Sequence, residues 1–478
     1  MLDLLKILPT AKSSLSILFS VAVFVSAASA QTTRARVQVS VSNSAFVSVQ
    51  ISSIEPADNW SFRNVVAGAL GLGDRVEQFR ASEKDRELNV RKLAAGEFRS
   101  VRLADKVSYV VKIPPQRPGD FAHVSWLTEE TGLLMLADLL PESIVNAQVD
   151  FALPAGWRVG TPLRSDAVNS FSIEKVDRQV FLVGKEIQHV STNVAGMELQ
   201  VVTSGSWRFD DRDVLKAARK VLEHYLGLTG YNLAERPTVF IAPMPSSETS
   251  SEWKAETRGS TVTLLLNRGA PIKNWIPQLG VIFTHELFHL WIPNALLLQG
   301  DYDWFFEGFT VYIALQTALK LKLIGFDEFL NTIGRVNDSY LSYEDKQSLL
   351  EASETRWTNN NSLVYDKGML AALLYDLVVR QESQGRDSLQ NRYRQLFGVD
   401  RGGLADANDV IIKLLNVSPK TDAFTKSYIE SKTKIELEKL LPTFGIDVQI
   451  GTANTQLKMR GQLTREQREL WRSLGYKK

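Results

Sequence analysis

Apolar and polar residues alternate over much of the first half of the chain. The stretches 37–41, 47–51 and 107–113 place valine, isoleucine or tyrosine at every second position. A period of two is typical of half-buried β-strands, whose successive side chains point to opposite faces. The pattern predicts an antiparallel sheet or sandwich over residues 31–202.

The period changes after residues 203–207, which we interpret as a hinge to a second domain. Residues 214–225 carry apolar side chains at helical spacing. We expect Asp210 or Asp211 to cap this helix and Gly227 to end it. Beyond it the pattern predicts strands at 238–242 and 261–266, and helices at 276–291, 304–320 and 362–380.

These patterns divide the chain into five segments. They are a signal peptide at 1–30, a β-rich domain at 31–202, a second domain at 203–390, a helical C-terminal lobe at 391–450, and a charged tail at 451–478 that is either a surface helix or frayed.

The first segment has the features of a secretory signal. Lys6 and Lys12 precede the apolar run 15–25, and the small residues 28–30 stand before Gln31. Eleven apolar residues fall short of the roughly 20 that a membrane-spanning helix needs. We therefore expect a secreted or periplasmic protein without a stable membrane anchor after cleavage.

Composition excludes some classes of function. The chain has 478 residues, 44% of them hydrophobic, with 55 basic and 54 acidic residues and no cysteine. A balanced charge does not favour nucleic acid or an anionic membrane as a partner. Without disulfides, the fold must depend on its hydrophobic core, and the length suffices for two or three domains.

The strongest chemical signal is THELFHLW, residues 284–291. His285 and His289 are four apart, so on a helix both imidazoles lie on one face and can bind one metal ion. Glu286 between them lies within reach of a water on that metal. Glu307, 17 residues after His289, begins the next predicted helix and supplies a third ligand. Two histidines and a glutamate make a catalytic zinc site, with one Zn²⁺ and an open fourth position.

The apolar neighbours of these residues have an ordinary structural explanation. Phe283, Leu287 and Phe288 are expected in the core. A core role does not explain two imidazoles and two carboxylates, whose burial without partners is costly. The other three histidines, His123, His189 and His224, are dispersed, and we expect ordinary surface or core roles for them.

These motifs carry a family resemblance. HELFHLW followed by WFFEGFTVY resembles the gluzincin metallopeptidases, and is most similar to the glycyl aminopeptidase group, with its HExxHxW and W-x-x-EG-x-T-x-Y segments. VYDKG, residues 364–368, is similar to the Tyr-x-Lys-Gly of the related aminopeptidase N type. Tyr365 matches a tyrosine that hydrogen-bonds the oxyanion in those enzymes. The PDZ domain that often follows the catalytic part in that group is not evident here.

The resemblance covers most of the chain and is strongest over residues 275–380. It implies a multidomain α+β fold: a β-rich N-terminal domain, a thermolysin-like gluzincin catalytic domain with the zinc-binding helices, and a C-terminal helical lobe. It also implies that the strand at 261–266 pairs with the main chain of a bound peptide.

One segment departs from the family pattern. The family usually has Gly-Gly-x-Glu-His before the zinc helix, and its glutamate is implied in holding the substrate's free amine. Here the stretch reads WKAETRGST, so that Glu256 takes the glutamate position while Trp253 and Lys254 replace the glycines and Thr257 replaces the histidine. Exopeptidase and endopeptidase action both stay open.

The sequence thus predicts a secreted zinc-dependent metallopeptidase, aminopeptidase-like, whose substrate is a peptide or protein. Zinc-activated water would attack the peptide bond, with Glu286 as general base and Tyr365 as oxyanion donor. The alternative is a catalytically degenerate protein of the same fold that keeps zinc and binds peptides. Intact Glu286 favours the enzyme, because a binding protein needs no base beside the metal.

Overall fold

The computed structural model describes residues 33–41, 45–246, 253–268, 276–296, 298–344, 346–398, 405–451 and 454–476. The signal peptide predicted at 1–30 lies outside these residues and remains a prediction.

The strands in chain order are β1 Arg34–Ser40, β2 Phe46–Ser52, β3 Ala57–Ser61, β4 Val65–Val66, β5 Ala69–Leu70, β6 Val76–Glu83, β7 Arg86–Leu88, β8 Val90–Ala94, β9 Glu97–Ala104, β10 Lys106–Lys112, β11 Trp126–Leu127, β12 Thr131–Met135, β13 Ala147–Ala152, β14 Arg158–Gly160, β15 Ser170–Ile173, β16 Val180–Gly184, β17 Ile187–Val194, β18 Met197–Ser204, β19 Thr238–Pro243, β20 Trp253–Arg258, β21 Thr261–Leu266, β22 Ile446–Ile450 and β23 Thr455–Met459.

The helices are α1 Leu136–Leu139, α2 Asp211–Thr229, α3 Ile276–His289, α4 Thr310–Lys320, α5 Phe326–Leu341, α6 Leu349–Glu354, α7 Asn361–Glu382, α8 Leu389–Gly398, α9 Ala407–Leu415, α10 Pro419–Tyr428, α11 Leu437–Leu440 and α12 Arg465–Ser473, with π-helical turns at Trp304–Phe309 and Arg356–Asn360.

The alternating pattern near the N-terminus builds a seven-stranded sheet with the order β15-β13-β1-β2-β10-β6-β7. Every second residue of β1 and β2 is buried, as the period of two predicts. All neighbours pair antiparallel except β1 and β13, which run parallel. The sheet is therefore mixed rather than purely antiparallel, and its buried side chains form the core of the β-rich part of the chain.

A second sheet carries the segment that departed from the family pattern. Its order is β17-β18-β19-β21-β20, which leaves β20 at one edge. The strand predicted to pair with a bound peptide, β21, already has β19 on one side and β20 on the other. That expectation is wrong, because β21 has no free edge for another strand; the edge available for strand addition belongs to β20.

Helix α2 packs on this sheet and is tied to the helix that carries the histidines. The Asp210 side chain caps it by accepting from the Arg212 N–H at 2.8 Å. It ends at Thr229 and is followed by Gly230, whose φ of 68° is the left-handed conformation common after a helix, so the predicted end at Gly227 is wrong. The Tyr225 hydroxyl donates to the Thr284 carbonyl at 2.8 Å and connects α2 with α3.

The three helices predicted for the site are present, with one difference. Residues 304–309 form a π-helical turn before α4 rather than the first turns of an α-helix. π-Helical turns are rare in proteins overall, and those that occur are often found at functional sites. This one carries Glu307. Within the described ranges, none of the helices is both long and apolar enough to cross a membrane.

Two glycines let this π-helical turn approach α7 closely. A Cβ added to Gly308 would lie 2.5 Å from the Gly368 Cα and 2.5 Å from the Val364 carbonyl oxygen. These are backbone atoms, which cannot move aside as a flexible side chain can. The two glycines therefore bring Glu307 on the turn next to Tyr365 on α7.

The C-terminal segment is not frayed where the structure describes it. Strands β22 and β23 form a hairpin, and α12 follows. The buried Trp471 donates its indole N–H to the Phe444 carbonyl at 2.7 Å, and Arg380 of α7 donates to the Ser473 hydroxyl at 3.0 Å. Of the two alternatives for this charged segment, a surface helix or a frayed tail, the described residues form the helix, whose Leu470 and Trp471 are buried. The predicted domain limits remain predictions.

Replacing Gly308 with alanine is expected to destabilise the protein by about 1–3 kcal/mol, because the new methyl group forces two backbones apart. The measurement is the midpoint of thermal unfolding. Gly227→Ala is the matched control: it also lies inside a helix, but nothing lies within 4 Å of its added Cβ, so its midpoint should stay or rise. Equal midpoints for the two variants would contradict the close approach.

Candidate metal and catalytic site

The three predicted ligands converge in the structure. The Nε2 atoms of His285 and His289 are 2.9 Å apart, and Glu307 Oε2 lies 3.2 Å from each of them. Ligand atoms on a tetrahedral zinc are about 3.4 Å apart, given bonds of about 2.1 Å. All three side chains are buried, and they form the one cluster of potential metal ligands found among the described residues.

The donor set fits a cation better than it fits the side chains alone. Glu307 Oε2 is buried and has no hydrogen-bond partner among the described residues. Its contacts with the two imidazoles are close, but neither has the geometry of a hydrogen bond. A buried carboxylate oxygen without a partner is costly, and a metal ion between the three atoms would satisfy it.

The histidines are oriented by their other ring nitrogens. His289 Nδ1 lies 2.7 Å from the Ile292 carbonyl, which can only accept, so Nδ1 carries a proton and Nε2 is the nitrogen that faces the other two side chains. His285 Nδ1 lies 3.5 Å from the Thr310 hydroxyl. Metal-binding histidines usually have such a partner, which fixes the ring and its tautomer.

Arg356 holds the other oxygen of the glutamate. Its Nη2 donates to Glu307 Oε1 at 2.9 Å and to the Tyr365 hydroxyl at 2.9 Å, while Nη1 donates to Asp303 Oδ1. Burial raises the pKa of Glu307, but His289, His285 and Arg356 outweigh burial and hold it well below its ordinary value. Glu307 is therefore an anion with one oxygen fixed by Arg356 and the other facing the two imidazoles.

Tyr365 lies beside Arg356 and Glu307. Its ring centroid is 6.2 Å from that of His285. Its oxygen accepts from Arg356, which leaves its own proton for another acceptor. Burial raises the pKa of Tyr365 well above its ordinary value, so the phenol stays protonated and can donate at neutral pH.

Glu286 is anchored from the edge strand. The Thr257 hydroxyl lies 2.7 Å from Glu286 Oε2 and 2.8 Å from the Glu286 carbonyl. Burial raises the pKa of Glu286 above its ordinary value, in spite of the nearby imidazoles. A carboxylate with a raised pKa is the better proton acceptor, as a general base requires.

Glu256 lies on the same edge strand but is not free. Its Oε2 contacts His123 Nδ1, and its Oε1 accepts from Arg258 Nη2 at 3.3 Å. Burial raises the pKa of Glu256, but the contacts with His123 and Arg258 lower it below its ordinary value. Glu256 is therefore an anion that already has two partners.

Sequence reasoning missed several residues of the site. His123 was expected in an ordinary role, yet it contacts Glu256; Thr257, Arg258 and Arg356 carried no motif. The adjacency of Thr257 and Arg258 to Glu256 was the one available signal. His189 is exposed on β17, while burial and Lys320 lower the pKa of His224 in α2 to about 4.

Comparison with known proteins supports the fold. No protein-family model matches the chain, and neither does any curated protein. An aminopeptidase N family protein from Idiomarina loihiensis aligns with a TM-score of 0.75 at 18% identity, over 87% of this chain and 79% of that chain.

An M1 zinc metallopeptidase from Deinococcus radiodurans aligns with a TM-score of 0.53 at 12% identity, over 85% of this chain and 95% of that chain. A mutant of an M1 zinc metallopeptidase from that organism, bound to a Tyr-Ser-Ala substrate, aligns with a TM-score of 0.56. The chain therefore has the multidomain α+β fold of the aminopeptidase N-type, or M1, zinc metallopeptidases, which confirms the gluzincin resemblance at the level of the fold.

Proposed function

We propose that the protein is a secreted or periplasmic zinc metallopeptidase that hydrolyses peptide bonds. The observation that carries the proposal is the convergence of three side chains, His285, His289 and Glu307, in which the buried Oε2 of Glu307 has no hydrogen-bond partner among the described residues. The fold of known zinc metallopeptidases supports it. The destination follows from the signal sequence at 1–30 alone.

His285, His289 and Glu307 would hold one Zn²⁺. Bound there, zinc supplies a Lewis acid that lowers the pKa of a water to about 7 and polarises the carbonyl of the peptide bond. Arg356 keeps Glu307 Oε1 occupied, so that Oε2 is the oxygen offered to the metal.

Glu286 and Tyr365 would carry the proton and charge movements. Glu286, with its raised pKa, takes the proton of the attacking water and passes it to the leaving amine. Tyr365 donates its phenol proton to the oxyanion that forms as the carbonyl is attacked. Arg356 holds the phenol oxygen in place while this proton is donated.

The edge strand β20 would bind the main chain of the substrate. Among the described strands it pairs with β21 alone, so its other side can accept an extended peptide by strand addition. Thr257 in this strand contacts Glu286, which brings a peptide on β20 next to the base. An aminopeptidase would hold the substrate's amino group on Glu256. In this chain Glu256 already contacts His123 and Arg258, which favours a different class of substrate.

Glu286→Gln is expected to lower kcat by 10²–10⁴-fold or more, because the amide cannot accept the proton, while zinc content stays unchanged. Purified mature protein is assayed on a mixed peptide library, with zinc measured by elemental analysis. If wild type binds zinc and neither protein cuts any peptide, the catalytically degenerate peptide-binding alternative is correct.

Tyr365→Phe is expected to lower kcat by about a hundredfold with little change in KM, because it removes one oxyanion donor and no binding surface. Steady-state kinetics on a peptide cleaved by wild type measures both constants. The control is Tyr343→Phe, since that hydroxyl contacts Ser362 and Asp366 away from the ligands. Equal kcat for the two variants would remove Tyr365 from the reaction.

Arg356→Lys is expected to weaken zinc binding by about 10–100-fold, because lysine keeps the charge but cannot donate to Asp303, Glu307 and Tyr365 together. Competition with a chromophoric chelator measures the zinc affinity of the metal-free protein. Arg335→Lys, at an exposed ion pair with Glu328, is the matched control. Unchanged affinity in Arg356→Lys would show that Glu307 needs no such support.

A further inference from the structure

One face of the edge strand β20 carries a charged cluster that the proposed reaction does not use. Glu256 and Arg258 are two residues apart in an extended strand, so they point to the same face, while Thr257 points to the other. Thr257 contacts Glu286. Glu256 and Arg258 are thus the immediate neighbours of Thr257, the residue that contacts the proposed base, and they lie beside the peptide that β20 would bind.

Both oxygens of the Glu256 carboxylate have partners in this cluster. His123, from the loop before β11, contacts Oε2, and Arg258 donates to Oε1 at 3.3 Å. The same Arg258 nitrogen donates to the His123 carbonyl at 3.3 Å. The side chains of Glu256, His123 and Arg258 are 23%, 25% and 12% exposed, so these contacts are largely screened from water.

The charge balance of the cluster disfavours a cation. Arg258 is permanently positive and matches the negative charge of Glu256, so no net negative charge is left to attract an ammonium group. Burial lowers the pKa of His123, but Glu256 raises it above its ordinary value, so any protonation adds further positive charge. An ammonium that displaced Arg258 would leave a largely buried guanidinium without its partner.

In place of a site for a cation, the cluster offers an unpaired hydrogen-bond donor. Arg258 Nη1 is buried and has no hydrogen-bond partner among the described residues. A buried donor left unpaired destabilises the structure. A carbonyl oxygen of a bound peptide would accept a hydrogen bond from this nitrogen. An acylated amino-terminal side presents a carbonyl oxygen at that place, whereas a free amino terminus presents further N–H donors.

We propose that the Glu256, Arg258 and His123 cluster selects peptides whose amino-terminal side is uncharged, either acylated or continuing as peptide chain, over peptides that present a free ammonium group there. This selection rests on the proposed peptidase function and names its substrate class. The enzyme then cuts interior bonds and blocked peptides, and removal of single amino-terminal residues is disfavoured.

The test uses a degenerate hexapeptide library mixed in equal amount with the same library N-acetylated. The zinc-loaded mature protein is incubated with both, and mass spectrometry gives the rate and position of each cut. Acetylated members are expected to be cut at least as fast as free ones, and at interior bonds. Release of amino-terminal residues from the free library at a rate tenfold above any cut in the acetylated library would overturn the proposal.

Arg258→Gln separates the cluster from other causes of such a preference. It leaves the Glu256 carboxylate unmatched, so cutting of free peptides relative to acetylated ones should rise tenfold or more. Arg335→Gln, at an exposed ion pair, is the control. An unchanged ratio in Arg258→Gln would refute the role of the cluster. If this variant does not fold, the wild-type ratio decides.

Failure of the proposed function gives a different result. If the zinc-loaded protein cuts neither library, it is not a peptidase, and affinity selection of the two libraries on the same protein then decides the selectivity. Enrichment of acetylated members supports the cluster's role. Enrichment of free members, or of neither library, overturns it.

Discussion

The Glu307 carboxylate is the point on which the rest of the site depends. One oxygen is held by Arg356, and the other faces two imidazoles without a hydrogen bond of its own. Because a buried anion must be matched by positive charge, Arg356 and the two imidazoles lie around it, and the same place suits a cation. The same arginine reaches the Tyr365 hydroxyl, which couples the geometry of the proposed metal ligands to that of the proposed oxyanion donor.

This arrangement requires two backbones to come unusually close. Glu307 is on a π-helical turn and Tyr365 is on α7, and only glycine at 308 and 368 lets the two elements meet. The glycine after the glutamate and the glycine of VYDKG are therefore parts of one contact. On the other side of His285, His289 and Glu307, Thr257 ties the edge of a sheet to Glu286, so strand β20 is held next to helix α3.

The edge strand also separates two properties that the family pattern joins. Thr257 on one face contacts the base, whereas Glu256 on the other face is paired with Arg258 and His123. Under the proposed function, a change on the second face would alter which peptides are accepted while the contact of Thr257 with Glu286 stays. We propose that the balance of charge on that face, rather than the presence of a glutamate, selects the substrate.

The sequence by itself predicted many of the elements and the three residues that converge as candidate metal ligands. Period-two alternation marked β1, β2 and β10, and the helical spacing of His285 and His289 fixed both on one face, because side-chain direction in regular structure follows from local geometry. Glu307 could be named because its ligand type and helix position followed from the same local rules. The C-terminal hairpin was not predicted, and the sequence left open whether the charged segment forms a surface helix or frays, since its few buried residues, such as Trp471, gain meaning only against the surface they pack on.

Only the tertiary structure decided the contacts between distant segments. Arg356 and His123 carry no motif, and their partners come from other parts of the chain, 49 residues away for Arg356 and Glu307 and 135 for Arg258 and the His123 carbonyl. The order of strands likewise put β20, a strand that the periodicity did not predict, at the edge in place of β21. Pairing order and charge pairing depend on which surfaces meet in space, and local periodicity carries no information about that.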